Sequence, residues 1–301
     1  MNIAICISGE PRMFTHFQES ANAFKKQCED NNINLHIFYH LWDHVTRRQR
    51  NYKSQDPIIE NVKEEDVISN IPVTAGVFES KDSLNDDIDY IWNHICNLPG
   101  RPGRKSTSKH ARAPRYDKKE ILQNQIWYTN TPGYSQMASL CKSNLIRIEY
   151  EKANNIQYDL IIRTRTDVEF KCNSIPYLVK LINDSNHFSK KIFFPLIEVW
   201  NTRSELQIIP EFCFFLSNST VLNENIFNDY CKKITSDMFS YDSASNDRLR
   251  ILNDHTVFVN LILNNIKIKL QSNLEAKGFK YKIHQLPVEY NNEKVEKYSN
   301  Y

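Results

Sequence analysis

The chain has 301 residues, of which 38 are Lys or Arg, 36 are Asp or Glu and 41% are hydrophobic. These proportions are those of an ordinary globular protein, and they exclude a disordered chain, a collagen-like fibre and a coiled coil. The formal net charge of +2 creates no overall field that would attract nucleic acid or a membrane surface. Any electrostatic recognition must therefore be local, and we expect no nucleic-acid partner.

No apolar run reaches the ~18 to 20 residues that cross a bilayer, and the apolar stretch at 3–7 is too short for a signal peptide. We therefore expect a cytoplasmic protein without a membrane span. The seven cysteines include no C-x-x-C pair, which argues against structural zinc and a disulfide framework. Cys6 and Cys213 lie among apolar residues and are expected in the core. We expect a single domain over 1–301.

Strands and helices alternate in the first part of the chain. Residues 2–9 are apolar and β-branched and end in Ser-Gly, which is typical of a buried parallel strand. Aromatic and apolar residues at helical spacing then predict a helix over 14–31. Strands are predicted at 35–42 and 73–78, with a helix at 63–69 between them. This alternation predicts a mainly parallel sheet covered by helices on both faces.

A basic loop insertion is predicted at 98–119, which contains three prolines, two glycines and eight Lys or Arg residues. One interpretation is a lid that closes over an anionic ligand. The alternative is a solvated surface insertion. Nucleic-acid binding ranks last, because Tyr116 is the only aromatic residue in the loop on which a base could stack.

The second half continues the alternation. A long helix is predicted over 119–154, interrupted near 131–133, and it leads into a strand over 158–170. Later strands are predicted at 191–195, 212–217 and 266–271, later helices at 174–184, 220–235 and 254–264, and an irregular tail from about 275.

The loop Ser8-Gly9-Glu10-Pro11-Arg12 joins the first strand to the first helix. It lies at the carboxyl edge of the predicted parallel sheet, where open α/β folds bind ligands. Gly9 permits close backbone approach, the helix amino terminus favours anions, and Arg12 suits a phosphate. The alternative is an ordinary turn with a surface arginine, since neither nucleotide-binding glycine motif is present.

Charged residues end the predicted strand 158–170. A side-chain period of two places Arg163, Arg165 and Asp167 on one face, together with Ile161 and Glu169. Charges at the end of an apolar strand need partners, which are acids, a metal ion or phosphate. Asp167 is the best candidate ligand for Mg²⁺ or Mn²⁺, because hard cations prefer carboxylate oxygens. The alternative is a structural set of ion pairs.

Five short motifs occur in a characteristic order. They are S-G-x-x-R after the first strand, the aromatic strand 38–42 ending in Trp, Y-S-Q-M at 134–137, I-I-R-T-R-T-D at 161–167, and D-H-T-V-F-V-N at 254–260. Together they resemble the GT-A-type glycosyltransferases of capsule and lipopolysaccharide biosynthesis and their viral relatives, over roughly 2–271. The resemblance implies a Rossmann-like α/β fold of GT-A type. It also implies transfer of a sugar from a nucleotide-sugar donor to a hydroxyl of a glycan or other acceptor.

The resemblance also assigns roles around the donor. It implies that Ser8, Gly9 and Arg12 line the nucleotide pocket, and that Asp167 is the last acid of a D-x-D motif that binds Mn²⁺ or Mg²⁺ and the diphosphate. Arg165 replaces the first acid of that motif. With Arg163, it could neutralise the diphosphate directly, leaving Asp167 to orient it.

A second acidic site lies at the start of the predicted helix 254–264. The resemblance implies a catalytic carboxylate or a metal-binding histidine here, so Asp254 is the candidate general base and His255 its accessory. A base removes the proton of the acceptor hydroxyl, an effect of typically ~10² to 10⁴-fold. Alternatively, Asp254 only caps the helix. Glu211 is a weaker candidate base.

Two other functions stay open. One is a sugar nucleotidyltransferase, although the first loop lacks the extra glycines that would wrap a triphosphate. The other is a catalytically silent glycan- or nucleotide-binding protein of the same fold. His40 and Asp43 could also reach a nucleotide, whereas His44 is expected to be solvated. The donor nucleotide and sugar, the acceptor, the stereochemistry and the oligomeric state are not encoded in these motifs.

Overall fold

A computed structural model describes residues 1–47, 58–84, 131–170, 174–183, 191–194, 197–201, 206–210, 215–223, 239–241, 249–251, 267–270 and 279–281. The strands are β1 (Asn2–Gly9), β2 (Asn34–Trp42), β3 (His44–Arg47), β4 (Ile58–Asn61), β5 (Ala75–Glu79), β6 (Leu160–Thr164), β7 (Val168–Phe170), β8 (Lys191–Phe194), β9 (Ile197–Asn201), β10 (Leu206–Pro210), β11 (Phe215–Ser217), β12 (Phe239–Tyr241), β13 (Leu249–Ile251), β14 (Lys267–Leu270) and β15 (Phe279–Tyr281). The helices are α1 (Phe14–Asp30), α2 (Glu64–Ile68), α3 (Thr131–Asn154), α4 (Ser174–Asn183) and α5 (Ser219–Asn223), with a 3-10 turn at Lys81–Leu84.

A seven-stranded sheet organises the described residues, in the order β14-β8-β11-β6-β1-β2-β5. β1 is parallel to both of its neighbours, β2 and β6, and β2 is parallel to β5. β11 runs antiparallel to β6 and to β8, whereas β8 and β14 are parallel. The prediction of an α/β fold with a mainly parallel sheet is therefore confirmed.

The two faces of β1 bury side chains of different size. Ile3, Ile5 and Ile7 pack in a cluster with Phe17 and Phe24 of α1. Ala4 and Cys6, on the opposite face, pack in a cluster with Leu140 of α3. Because β1 is covered on both sides, it is apolar along its whole length rather than alternating. The prediction that Cys6 is a core residue is confirmed, and Cys213 lies outside the described residues.

Residues 131–133 are helical and α3 begins at Thr131, so the predicted interruption near Thr-Pro-Gly falls at the start of the described helix and stays a prediction. The tripeptide forms the first turn of α3. Proline is tolerated there because the first N–H groups of a helix have no intrahelical acceptor. Residues 119–130 lie outside the described part of the chain.

The predicted strand over 158–170 is wrong as a single element. β6 ends at Thr164, a turn follows, and the Val168 amide donates to the Arg165 carbonyl across 3.2 Å. β7 then leaves the main sheet and pairs with β15, which lies in the tail that was predicted to be irregular. The turn lets Phe170 pack against the Phe24 ring at a centroid distance of 4.8 Å. It also keeps the charged residues 165 and 167 at the end of the sheet instead of carrying them along its interior.

Several other predictions fall on residues that are not described. They are the basic loop at 98–119, the helix at 254–264 with Asp254 and His255, and Glu211. In the described ranges, no helix combines the length and the apolar character needed to cross a bilayer.

We expect Gly76→Ala to destabilise the sheet by about 1 to 3 kcal/mol through overpacking. A Cβ atom at Gly76 would lie 2.1 Å from Cδ1 of Tyr39, whose ring is buried against it. Urea unfolding measures the loss, and the same substitution in a Tyr39→Ala background is the control. The steric explanation requires Gly76→Ala to cost much less in that background, and equal losses in both backgrounds would contradict it.

Candidate functional site

The chain leaves the central strand through an unusual backbone conformation. Gly9, the last residue of β1, has φ of 110°, which L side chains rarely adopt. A Cβ atom at this position would meet nothing within 4 Å, so the glycine serves the backbone conformation and not the packing. The turn carries Glu10 and Arg12 to the carboxyl edge of the sheet.

A hydrogen bond to Ser139 of α3 fixes this turn. The Gly9 amide donates to Ser139 Oγ across 2.7 Å, and the serine is fully buried. The same oxygen lies 2.9 Å from His40 Nδ1 and 2.8 Å from the His40 carbonyl oxygen. One hydroxyl therefore joins β1, β2 and α3 where the β1 loop begins.

His40 completes a buried chain of hydrogen bonds. Its Nε2 lies 2.8 Å from Glu79 Oε1. Burial lowers the pKa of His40 to about 4, with a smaller contribution from Lys142 in the same direction, although Glu79 opposes the shift. The imidazole is thus neutral near pH 7 and has one N–H. Because the carboxylate can only accept, that proton lies on Nε2, so Nδ1 is an acceptor and shares the single Ser139 hydroxyl proton with the His40 carbonyl oxygen.

The outer end of this chain is an ion pair between Glu79 and Lys142. Lys142 Nζ also lies 5.5 Å from the centre of the Trp42 ring, a cation–π distance. Hydrogen bonds from Lys142 and His40 lower the pKa of Glu79 despite its partial burial, which acts in the opposite direction. His40 is therefore a core residue and not one that reaches a nucleotide. His44, expected in solvent, is instead largely buried and lies 2.9 Å from Asp43 Oδ1.

Charged side chains gather at the carboxyl edge directly above this chain. Arg12 donates from Nε and Nη2 to Glu10 Oε2, across 3.1 and 2.8 Å. Lys81, which follows β5, lies 3.3 Å from the other carboxylate oxygen of Glu10. Glu10 therefore holds two cations from different elements side by side.

The turn after β6 adds a second ion pair. Arg165 donates from Nε to Asp167 Oδ1 across 2.8 Å and from Nη2 to Oδ2. The Thr166 hydroxyl lies 3.4 Å from the Glu10 carbonyl oxygen, which places this turn beside the β1 loop. We call Glu10, Arg12, Lys81, Arg165 and Asp167 the edge cluster.

In the edge cluster, the acidic side chains are less exposed to solvent than the basic side chains. The side chains of Asp167 and Glu10 are 2% and 10% exposed, whereas those of Arg165, Lys81 and Arg12 are 17%, 24% and 35% exposed. The carboxylates thus lie beneath the cations. Among the described side chains at this edge, the most accessible are guanidinium and ammonium groups, which are suited to an anion such as a phosphate.

Arg163 lies apart from the edge cluster, although the sequence pattern placed it with Arg165 and Asp167. It is buried within β6 opposite Cys6 of β1, and its Nη1 donates to the Thr164 carbonyl. Burial raises the pKa of Cys6 to about 11, and Arg147 and Arg163 only partly offset this. The structure therefore brings together two of the three residues that the strand pattern grouped.

Sequence reasoning missed a buried network on α3. Arg147 Nη1 lies 2.7 Å from Glu151 Oε2, and Arg147 Nη2 donates across 2.7 Å to Asn223 Oδ1 of α5. The Ser219 hydroxyl also donates to Glu151, and it accepts from the Tyr158 amide across 2.8 Å. The i,i+4 spacing of Arg147 and Glu151 is a helix signal visible in the sequence. The network fastens α3 to α5.

The predicted nucleotide residues differ in accessibility. Ser8 is fully buried, and its hydroxyl has no hydrogen-bond partner among the described residues. Gly9 is buried as well, so Arg12 alone of the three presents its side chain to solvent. Their place in a nucleotide pocket stays a prediction, in which Ser8 and Gly9 act through the backbone of the turn.

Within the described residues, no group of three or more His, Cys, Asp or Glu side chains has the spacing of a metal site. Asp167 gives both carboxylate oxygens to Arg165, a cation in direct contact. Asp254 and His255 lie outside the described ranges, so metal ligation by Asp167 with His255 stays a prediction.

The chain matches no protein-family model and no curated protein.

We expect Ser139→Ala to lower the free energy of unfolding by about 1 to 3 kcal/mol, because it leaves the buried Gly9 amide without an acceptor. Ser143→Ala is the matched control on the same helix. Ser143 is equally buried, but its hydroxyl donates only to the Leu140 carbonyl within α3. Urea unfolding compares the two variants. Equal losses of unfolding free energy in the two variants would contradict an added contribution from the hydrogen bond between Ser139 and the Gly9 amide.

The depressed pKa of His40 predicts acid sensitivity. The unfolded histidine binds a proton below about pH 6.5, whereas the folded one stays neutral down to about pH 4. Stability therefore falls as the pH drops through this window, by at most about 1.4 kcal/mol per pH unit from this residue. His36, whose pKa burial also lowers, adds to the slope. Urea unfolding between pH 4 and 8 should give a flatter profile for His40→Gln, and an unchanged slope would contradict the assignment.

Proposed function

We propose that this protein is a glycosyltransferase of GT-A type that transfers a sugar from a nucleotide-sugar donor to a hydroxyl of a glycan or other acceptor in the cytoplasm. The observation that carries the proposal is the edge cluster. It presents Arg12, Lys81 and Arg165 from three separate elements at the carboxyl edge of a mainly parallel sheet. The order of the sequence motifs supplies the reaction class.

The chemistry of the donor explains why cations are needed at this edge. When the bond between the sugar and the β-phosphate breaks, the phosphate oxygen keeps the electron pair and negative charge develops on the diphosphate. Cations and N–H groups that are already in place stabilise this developing charge most effectively, because they need not reorganise during the reaction. Glu10 and Asp167 hold the three cations in place before any ligand arrives.

The turn at Gly9 supports the same assignment. The close approach of a nucleotide to the β1 loop requires a backbone without a bulky side chain. In this account Ser8 and Gly9 shape the loop, and Arg12 is the first side chain that contacts the donor. Arg163, buried in β6, adds a positive charge to the electrostatic potential at the diphosphate.

The acceptor side of the reaction rests on the sequence resemblance. There, Asp254 takes the proton of the acceptor hydroxyl as its oxygen bonds to the anomeric carbon, with His255 beside it. Glu211 is the alternative base. Replacing Asp254 with Asn would then lower turnover and leave donor binding unchanged.

A second candidate function is nucleotide or glycan binding without turnover. The specific observation in its favour is the Arg165–Asp167 pair, which occupies the place of a two-carboxylate motif. Turnover of a bound nucleotide sugar separates the two candidates.

We predict that a nucleoside diphosphate raises the thermal midpoint of the protein, because a ligand that binds only the folded state stabilises it by mass action. Lys81→Ala should weaken its affinity by about tenfold or more, since it removes a charged phosphate contact. A panel of uridine, guanosine, cytidine and adenosine diphosphates and their sugar conjugates, measured by thermal shift, identifies the base.

The matched control is Lys63→Ala. Lys63 is also a lysine near a glutamate, with Nζ 3.8 Å from Glu65 Oε1, but it lies on the exposed start of α2. Its replacement should leave nucleotide affinity unchanged. Equal losses for Lys81→Ala and Lys63→Ala would indicate non-specific attraction, and no midpoint shift with any nucleotide would contradict the proposal.

A further inference from the structure

We infer that the edge cluster binds the donor diphosphate through its cations alone, without a bridging divalent metal ion. Arg165 is the phosphate contact in this inference, and Asp167 is the positioning residue that aims it. The inference rests on the proposed function and specifies how its donor is held.

Asp167 already uses both of its carboxylate oxygens. Divalent cations such as Mg²⁺ and Mn²⁺ bind through carboxylate oxygens. Both Asp167 oxygens are already hydrogen-bonded by Arg165, in a side-on pair that uses two N–H groups. A metal ion on either oxygen would lie next to a full positive charge, and that repulsion is strong in a site sheltered from water.

Arg165 is more accessible than Asp167. The Asp167 side chain is 2% exposed and lies beneath Arg165, which is 17% exposed. An incoming anion therefore reaches the guanidinium first. A guanidinium carries five N–H donors, of which the pair with Asp167 uses two.

The edge cluster carries a net positive charge. Glu10 shares its two oxygens between Arg12 and Lys81, so the edge cluster has one more cation than carboxylate. The diphosphate adds its own negative charge and competes with Glu10 for both cations. The excess cation and the two cations freed from Glu10 thus offset part of the diphosphate charge without an additional ion.

Asp167 has a distinct task in this arrangement. A two-point contact fixes the plane of the guanidinium, and a fixed donor loses less entropy when it binds a phosphate. In the transfer step, Arg165 stabilises the phosphate oxygen that receives the electron pair from the broken sugar–phosphate bond. No oxidant, reductant or further reactant takes part.

The test measures affinity for the nucleoside diphosphates of the panel by calorimetry, using the full chain in EDTA and again with Mn²⁺. We expect the probe that binds to have the same affinity within about twofold in both buffers. Arg165→Gln should weaken it by about 10- to 100-fold in both. Because this variant leaves a buried carboxylate unpaired, the double variant R165Q/D167N, with a neutral pair, checks that the loss is not due to misfolding.

The variant that best separates metal-dependent from metal-independent binding is R165D, which gives the turn two carboxylates at positions 165 and 167. It should bind the probe weakly in EDTA and regain affinity with Mn²⁺, a change in metal dependence that a merely structural role would not produce. Wild-type binding that appears only with Mn²⁺ overturns the inference and leaves the proposed function standing. Failure of every probe in both buffers overturns both.

Discussion

The hydrogen bond from the Gly9 amide to Ser139 fixes where the central strand leaves the sheet, and the geometry of the edge depends on it. β1 lies between two parallel neighbours and is buried on both faces, so its backbone has no freedom before Gly9. Ser139 is in turn held by His40, and His40 by Glu79. This buried chain gives the β1 loop a rigid base, on which charged side chains keep their positions without a large fitting cost when a ligand binds.

The ion pairs of the molecule fall into two kinds with different consequences. Those of the edge cluster join a buried carboxylate to a partly exposed cation, so the carboxylate orients a cation that a ligand can still reach. The Arg147–Glu151 pair is fully enclosed and joins α3 to α5. Removing one member of such a pair costs about 3 to 5 kcal/mol, because the other charge stays buried.

The sequence predicted the elements whose signals are local. The apolar run of β1, the helical spacing of α1 and the loop with Arg12 were all recognisable from neighbouring residues. The end of β6 was not, because a two-residue period shows which face a side chain takes but not where the strand stops. Contacts between distant residues were also hidden, such as His40 with Ser139. The contact between Lys81 and Glu10 could not be predicted from a local sequence pattern, because it depends on the order of β1, β2 and β5 in the sheet.

The proposed function requires the carboxyl edge of the sheet to receive the diphosphate of a nucleotide. The most direct test is a crystal structure of the full chain with the nucleoside diphosphate that stabilises it most. We expect phosphate oxygens within hydrogen-bond distance of Arg12, Lys81 and Arg165, with the Arg165–Asp167 pair intact. A nucleotide bound away from these three side chains would overturn the proposed site.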